Sequence, residues 1–497
     1  LDVLLGHENY VKNTYVLGAS KSGMFSADHD ELYGAVVDKA GAYSYQKSYN
    51  NEGYFLRAQY NFDERVYVSA SYRRDASSRF HPDHRWGNFW SAGAAWVMSK
   101  ESWFKADCVD LFKVKASYGQ QGNDGIDDYL YTDLFSIENN GSGGLTTIWG
   151  QKGNEELTWE TNSNLNVGVE FSLWKGRLAG DINYFHRTTT DMLFFLPVPS
   201  SLGYSGYYTN IGDMLNQGIE IELNADLVRM KNFTWNFGLN MTHFQNKIIR
   251  LPEAYKNHQT HDGKLRGRQS GSRFFAEGES IYTFYIPTYA GVDKSNGKSL
   301  WYTYDDNGNR VTTDDYTIAD ANGRELQGTA TPDLYGGFNT VFSFYGVDIS
   351  ANFAYQIGGQ ALDQGYQLFT GSPYAANAGN AMHRDLKGAW TPENPNSNIP
   401  RLQYGDQYSS ATSSRYLIDA SYLNIQNITV GYTLPSKITR KFLVEKLRIY
   451  ATADNVWLFS KRKGFDPRQA MGGITSGYGP YYYAPIRTIS GGVSITF

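Results

Sequence analysis

Oxygen-bearing side chains gather in one short stretch of the chain, where their spacing suggests calcium binding. Asp305, Asn307 and Asn309 alternate, and Asp314 follows them. A calcium loop offers oxygen ligands at alternate positions, but it needs its glycine one residue after the third ligand, and Gly308 comes too early. The spacing therefore favours a solvated turn, and these four residues stay weak candidates for a metal site.

Candidates for catalysis are fewer still. The nine histidines are scattered, and His81 and His84 lie beside Asp83 in a polar stretch typical of a solvated loop. The Gly-x-Ser-x-Gly motif of serine hydrolases is absent, and the single Cys108 can form neither an internal disulfide nor a cysteine zinc site. The sequence thus predicts a protein that is not an enzyme, with no catalytic residue and no cofactor.

A larger set of charged residues occupies the polar positions of alternating stretches. Side chains of a β-strand point alternately to two faces, so these residues would share one polar surface. We expect them to hydrogen-bond one another and the interior of the protein, or to line a substrate path. The set comprises Arg57, Arg73, Glu170, Glu220, Glu222, Asp226, Asp348 and Arg448.

Tyrosine-rich loops are the second candidate for ligand contact. Tyrosine offers a flat apolar ring with a polar tip, which suits stacking on a sugar or a peptide, and also suits an interface belt or a docking anchor. The residues concerned are Tyr204, Tyr207 and Tyr208 in one loop and Tyr481, Tyr482 and Tyr483 in another.

The elements that must position these residues are long strands. Apolar and polar residues alternate through 219–227 and 233–241, and the same period recurs along the chain. The strands run about 10–16 residues, roughly twice the usual length in soluble sheets. This pattern predicts an all-β fold, a transmembrane antiparallel β-barrel with about 14–18 strands in this chain.

The connections between strands fall into two classes. Tight turns at one rim and long loops at the other are how outer-membrane barrels divide their periplasmic and extracellular sides. For 247–333 the sequence leaves open an outside loop or one extra strand pair, and within 361–390 we expect a short helix. Tight turns are predicted at 61–65, 174–176, 229–232 and 344–346, and long loops at 188–215, 247–281, 293–333, 358–420 and 460–486.

Composition agrees with this architecture. Charged residues make up 19% and aromatic residues 15% of the chain, and the net charge of −5 argues against a nucleic-acid binder. No apolar run is long enough for a transmembrane helix. The chain ends on an alternating strand, Arg487–Phe497, and its terminal Phe497 resembles the assembly signal of bacterial outer-membrane barrels.

Seven stretches, kept in order over about residues 53–497, resemble one family. The chain is similar to the SusC/RagA class of TonB-dependent outer-membrane transporters of Bacteroidota. The stretches are Arg65–Asp75, Trp86–Trp96, Tyr118–Asn123, Gly153–Glu160, Thr331–Phe338, Tyr422–Pro435 and Ala453–Trp457.

The resemblance implies a 22-stranded barrel with an internal plug, energised through TonB. It also implies a SusD-like surface lipoprotein that captures oligosaccharides or peptides and closes over the barrel as a lid. The barrel would contact membrane lipid and lipopolysaccharide, and a dimer of transporter–lid pairs is compatible with the resemblance. We expect residues 1–497 to be the C-terminal part of such a barrel, with the plug, the TonB box and the N-terminal domain absent from this sequence. No nucleic-acid partner is expected.

The sequence therefore predicts an outer-membrane active importer of a nutrient oligomer, either an oligosaccharide or a peptide. Three alternatives stay open. A passive porin would need no energy source, and a surface-binding barrel or adhesin would hold its ligand without moving it. A soluble all-β enzyme acting on glycans would need a pair of carboxylates facing each other in a cleft.

Overall fold

Fourteen antiparallel strands form one continuous sheet in the computed structural model, which describes residues 1–26, 28, 31–35, 40–139, 141–373, 381–463, 465–468 and 485–497. Each strand pairs with the next one along the chain. In order they are β1 Asp2–Lys21, β2 Ala40–Phe62, β3 Val66–Ser77, β4 Trp86–Val97, β5 Val109–Asn123, β6 Glu160–Leu173, β7 Leu178–Thr190, β8 Asp213–Arg229, β9 Phe233–Arg250, β10 Leu334–Phe344, β11 Val347–Ile357, β12 Tyr422–Thr433, β13 Lys446–Ser460 and β14 Thr488–Thr496.

The two faces of this sheet differ in polarity because apolar and polar residues alternate. In the pairing of β8 with β9, Ile221 lies opposite Met241 and Leu223 opposite Leu239, so apolar residues of adjacent strands share a face. Many residues of this apolar face, such as Ile349, remain exposed. A continuous exposed apolar surface on long strands is typical of a sheet whose outer solvent is lipid. The predicted all-β barrel architecture, within its range of strand number, is confirmed.

Short connections join the strands at one edge, which we call the turn rim. The four tight turns predicted from the sequence lie here, between β2 and β3, β6 and β7, β8 and β9, and β10 and β11. Two further connections, 98–108 and 434–445, were not predicted. Residues 434–445 contain the short helix Ser436–Thr439 and the 3₁₀ turn Arg440–Phe442. The chain also ends at this rim, since Thr496 pairs with Lys446.

Longer connections lie at the opposite edge, the loop rim. Strand β9 ends at Arg250, and the short strands that follow it form sheets of their own, so 251–333 stays out of the large sheet. The helix expected within 361–390 is Gln364–Phe369. Three of the small sheets are two-stranded and pair Leu134–Asn139 with Leu145–Gln151, Leu193–Pro197 with Gly206–Asn210, and Gln360–Leu362 with Leu417–Asp419. A five-stranded sheet contains His258–Gln259, Arg266–Ser270, Arg273–Ala276, Thr283–Pro287 and Arg324–Thr329. A three-stranded sheet contains Tyr289–Val292, Ser299–Tyr304 and Arg310–Thr313.

The remaining helical segments are short. None of the helices in the described ranges is long and apolar enough to cross a membrane. They are the α-helix Tyr316–Asn322 and the 3₁₀ turns Leu32–Gly34, Met98–Lys100, Ser200–Leu202, Glu253–Tyr255, Arg384–Gly388 and Ser414–Tyr416.

Buried apolar side chains concentrate in the loop rim rather than on the sheet. Leu157 and Phe80 are fully buried, and Trp159 packs between Phe80 and Phe89 with ring centroids 5.5 Å from each. A second cluster contains Phe274 and Tyr285. The loops therefore fold as packed layers of their own, which fixes the side chains that surround the opening of the sheet.

Candidate functional site

Ion pairs cross from strand to strand on the polar face. Glu170 of β6 accepts a hydrogen bond from Lys113 of β5 at 3.0 Å. The Nε of Arg448 on β13 donates to Asp348 of β11 at 3.0 Å, passing over β12. Three of the residues predicted to share this face thus pair across strands and stabilise their spacing.

A fourth predicted residue, Arg73 of β3, lies nearer the loop rim. Its Nε is 2.7 Å from Asp75, and its Nη2 is 3.0 Å from Glu8 of β1. The guanidinium also stacks over the ring of Phe55 at 5.6 Å. Arg73 therefore joins three strands, which is a structural role whether or not it also contacts a ligand.

The other four predicted residues make weaker contacts. Asp226 accepts a hydrogen bond from Asn236 and lies 3.8 Å from Arg229. Glu222 accepts from the Nδ2 of Asn224 at 3.3 Å. Glu220 lines a cavity, and Arg57 is exposed and opposite Ser71 in the register.

Two open cavities lie along the polar face from β1 to β8. The one nearer the turn rim, of about 740 Å³, includes Lys115 and Glu220; its neighbour of about 610 Å³ includes Arg73 and Gln120. These volumes are in the range of pockets that enclose small ligands. Ser69, Gly93, Ser117 and Asn166 belong to both cavities, so the two form one continuous polar groove.

The groove offers hydrogen bonds and charge of both signs. Lys115 donates to Asp181 at 2.5 Å, and serine, asparagine and glutamine side chains fill the space between the charged pairs. Such a surface can bind an uncharged polar ligand or a zwitterionic one through many separate contacts. The carboxylates that line it, Asp2, Asp75 and Glu220, come from three different strands, β1, β3 and β8.

Tyrosines of the first predicted loop have different surroundings. Tyr204 stacks on Trp149 with ring centroids 6.1 Å apart. Tyr207 lies opposite Leu196 in a short hairpin. Tyr208 packs against Phe195 and the buried cluster around Leu157, so its ring supports the loop fold. Tyr481, Tyr482 and Tyr483 lie outside the described residues, and Phe497 is exposed at the turn rim.

The loop rim contains an apolar cavity that sequence reasoning missed. It measures about 270 Å³ and is lined by Met192, Ile248 and Ile281, with Arg268 stacked over Tyr255 at 4.6 Å. Its walls come from separate connections of the chain, so no local pattern points to it. Among the described residues, no carboxylate lies within ion-pair distance of Arg268.

Burial and hydrogen bonding shift the pKa values of several residues in the loops. Burial lowers the pKa of Arg273 to about 10. A hydrogen bond to Glu325 raises the pKa of Tyr304 to about 12. Burial also raises the pKa of Asp363, which caps the helix Gln364–Phe369 and lies 3.3 Å from Arg462. These groups hold the loops together and do not converge on one reactive centre.

The calcium-like stretch forms a turn. Asp305 accepts hydrogen bonds from the backbone N–H groups of Asn307 and Asn309, and Asp314 pairs with Lys298 at 2.5 Å. The carboxylates of Asp305 and Asp314 are thus engaged within the protein. No cluster of three or more metal-ligating side chains occurs in the part of the chain that the structure describes.

Comparison with known proteins agrees with this geometry. Residues 5–345 match the family model described as TonB dependent receptor-like, beta-barrel. The chain is 29% identical to TonB-dependent receptor P3 of Formosa agariphila, covering 92% of this chain and 47% of that protein. It is 27% identical to TonB-dependent receptor SusC of Bacteroides thetaiotaomicron, covering 100% of this chain and 48% of that protein.

A solved structure matches over the whole chain as well. The RagAB peptide importer in its "closed-closed" state superposes with a TM-score of 0.82 at 26% identity, covering 100% of this chain and 53% of that one. The chain therefore spans about half the length of the relatives that it matches.

Proposed function

The chain belongs to the TonB dependent receptor-like β-barrel family, and we propose from this premise that it is part of an active importer of nutrient oligomers. The family consists of outer-membrane receptors and transporters rather than enzymes, so the chain lies in the outer membrane. We propose that its short turns are periplasmic and its long loops extracellular, as in other outer-membrane barrels. The observation that carries the proposal is the continuous polar groove from β1 to β8, which is backed by an apolar lipid-facing surface.

The proposed substrate is an oligosaccharide or a peptide. Both carry many hydrogen-bonding groups, which the serine, asparagine and glutamine side chains of the groove can bind. A solved relative is described as a peptide importer, and this favours including peptides in any search. Charged pairs such as Lys115 with Asp181 would contact the termini or side chains of a peptide, or the hydroxyl groups of a glycan.

The proposed partners follow from the family. A SusD-like lipoprotein would cover the loop rim and deliver the substrate, in a single transporter–lid pair or in a dimer of such pairs. TonB would supply energy through a region outside these residues. We propose that residues 1–497 form the C-terminal part of the barrel, and that a longer protein supplies the plug and the remaining strands. The unclosed sheet and the half-length matches support this proposal.

Uptake by the full-length protein tests the proposal. Cells that lack the gene and cells that carry it are grown on panels of glycans and peptides as sole nutrient, and short-term uptake of the nutrient that supports growth is measured with and without a protonophore. We expect growth on one class to require the gene, and uptake of that class to require both the gene and the gradient. Uptake that survives collapse of the gradient would indicate a passive porin, and surface retention without uptake would indicate a binding barrel.

Adjacent residues of β6 provide a matched pair of variants. Asn166 lies in the groove, and Val167 lies on the opposite, lipid-facing surface. We expect Asn166→Leu to reduce uptake about tenfold, which corresponds to about 1.4 kcal/mol of lost substrate stabilisation, whereas Val167→Leu leaves uptake unchanged. Equal uptake by both variants, at equal amounts of assembled protein, would place the substrate path elsewhere.

A further inference from the structure

One connection of the turn rim combines positive charge with exposed apolar side chains. In the segment 434–445, Phe442 is 74% and Leu443 is 88% exposed, and Ile438 is about half exposed. Isolated apolar side chains are common on protein surfaces, but three within one short segment are not explained by a water-exposed turn. The same segment carries Lys437, Arg440 and Lys441, with one acidic residue, Glu445.

The charges of this segment are not neutralised within the protein. Among the described residues, no carboxylate lies within 4.0 Å of the charged groups of Lys437, Arg440 or Lys441. Two cations in the turns on either side of β3 and β4 are paired instead. Lys100 lies 2.7 Å from Glu64, and Arg65 lies 3.0 Å from Asp63. The segment 434–445 therefore presents three cations without a carboxylate partner among the described residues, whereas Lys100 and Arg65 are paired.

Hydrogen bonds to backbone carbonyls fix the shape of the segment. The N–H of Val444 donates to the carbonyl of Thr439 at 3.2 Å, and the Thr439 hydroxyl donates to the carbonyl of Glu445 at 3.3 Å. Leu443, at the end of the 3₁₀ turn, adopts φ = 60°, in the left-handed region. Few residues other than glycine adopt this conformation readily, so the exposed position of Leu443 is imposed by a closed loop.

The segment begins where the lipid-facing surface ends. Tyr432 of β12 lies opposite Ile449 of β13, and both are exposed on the apolar face. Two residues after Tyr432, the N–H of Leu434 donates to the carbonyl of Leu447, just before the turn begins. Residues just beyond the apolar surface of a membrane strand lie at the depth of the lipid head groups.

We propose that residues 434–445 form a binding site for anionic phospholipid in the periplasmic leaflet. Lys437, Arg440 and Lys441 contact the phosphates, and Phe442 and Leu443 insert among the upper parts of the acyl chains. Charge complementarity selects an anionic head group, and the exposed apolar pair selects a lipid over a soluble phosphate. This inference rests on the membrane location of the chain and not on the substrate or the energy source.

Lipid retention by the purified full-length protein tests the site. The protein is equilibrated in mixed micelles that contain phosphatidylglycerol and phosphatidylethanolamine, and the lipid that remains bound after gel filtration is measured by mass spectrometry. We expect the triple variant Lys437→Gln, Arg440→Gln and Lys441→Gln to retain at most about one third of the phosphatidylglycerol that the wild-type protein retains. The amount of retained phosphatidylethanolamine should not change. High salt should reduce the wild-type value towards that of the variant, because it screens the attraction.

A matched control uses the paired cation of a neighbouring turn. Lys100→Gln removes one charge from the same rim, and its expected effect on retained phosphatidylglycerol is small. Phe442→Ser with Leu443→Ser should reduce retention of both lipids, and heat-dependent migration on gels checks that each variant is folded. Wild-type retention by the triple variant would overturn the proposal. If the triple variant instead loses a cross-link to a periplasmic protein while keeping its lipid, the cations belong to a protein interface.

Discussion

Neighbouring residues of one strand face different solvents in this protein, because apolar and polar residues alternate along the strand. Leu223 of β8 lies on the lipid-facing surface beside Leu239, whereas Asn224 lies on the polar face beside Glu222. A charged side chain therefore has opposite effects at adjacent positions, because one faces hydrocarbon and the other faces water and carboxylates.

Arginine substitutions measure this difference. We expect Leu223→Arg to destabilise the assembled protein by about 2–4 kcal/mol if the site is near the bilayer midplane, and Phe237→Arg to behave alike. Asn224→Arg and Asn236→Arg should be tolerated far better, since Glu222 and Asp226 lie beside them. The measurement is reversible unfolding of the full-length protein in lipid vesicles. Equal tolerance at both positions would mean that the faces are assigned to the wrong solvents.

Single residues also show what the sequence could not reveal. Alternation was enough to place Arg73, Glu170, Asp348 and Arg448 on one face, because strand geometry is local. The surroundings of Tyr208 and Arg268 depend on contacts between distant segments, so a tyrosine that supports a buried cluster looked the same in the sequence as one that is free to bind.

At the scale of elements, small residues allow charged side chains to meet across strands. Gly431 of β12 lies opposite Asp348 of β11, and Arg448 of β13 reaches Asp348 directly above it. A Cβ atom at Gly431 would lie 2.5 Å from the Nη2 of Arg448 and 2.7 Å from the Oδ2 of Asp348. Gly53 of β2 is in a similar position, because a Cβ atom there would collide with the paired side chains of Arg73 and Asp75. The glycines therefore determine where ion pairs cross the sheet.

Substitution of the glycine tests this arrangement. We expect Gly431→Ala to destabilise the protein by about 1–3 kcal/mol, because the added methyl group must displace a paired side chain. The control is Gly491→Ala in β14, where a Cβ atom would meet only the carbonyl oxygen of Tyr450, at 3.6 Å. Thermal unfolding in detergent compares the two variants. If Gly431→Ala is as stable as the control, the ion pair moves aside without cost.

Elements of the fold differ in how far the sequence predicted them. The strands and the four tight turns were predictable, since a period of two and short polar breaks are local signals. The turn 434–445 was missed because Ile438, Phe442 and Leu443 give it the apolar content of a strand. The arrangement of 251–333 into separate small sheets was left open, because it depends on pairing between short strands far apart in the chain.

At the scale of the whole molecule, the sheet has two free edges. Strand β1 pairs only with β2, and β14 pairs only with β13, so in the described residues the large sheet does not close on itself. An unpaired backbone group in hydrocarbon costs several kcal/mol, and each edge strand would expose a row of them. A stable barrel therefore requires either direct pairing of β1 with β14 or further strands between them.

We expect further strands of a longer protein to lie between β1 and β14, because the chain spans about half of its relatives. Residues 1–497, exported alone with a signal peptide, should then yield a protease-sensitive product without the heat-dependent gel migration of a folded barrel. In the full-length protein, the amide hydrogens of Thr488–Thr496 should exchange as slowly as those of β13, since both edges of β14 would be paired. Folding of residues 1–497 alone into a protease-resistant, heat-modifiable barrel would show that β1 pairs with β14, and would remove the reason for expecting strands between them.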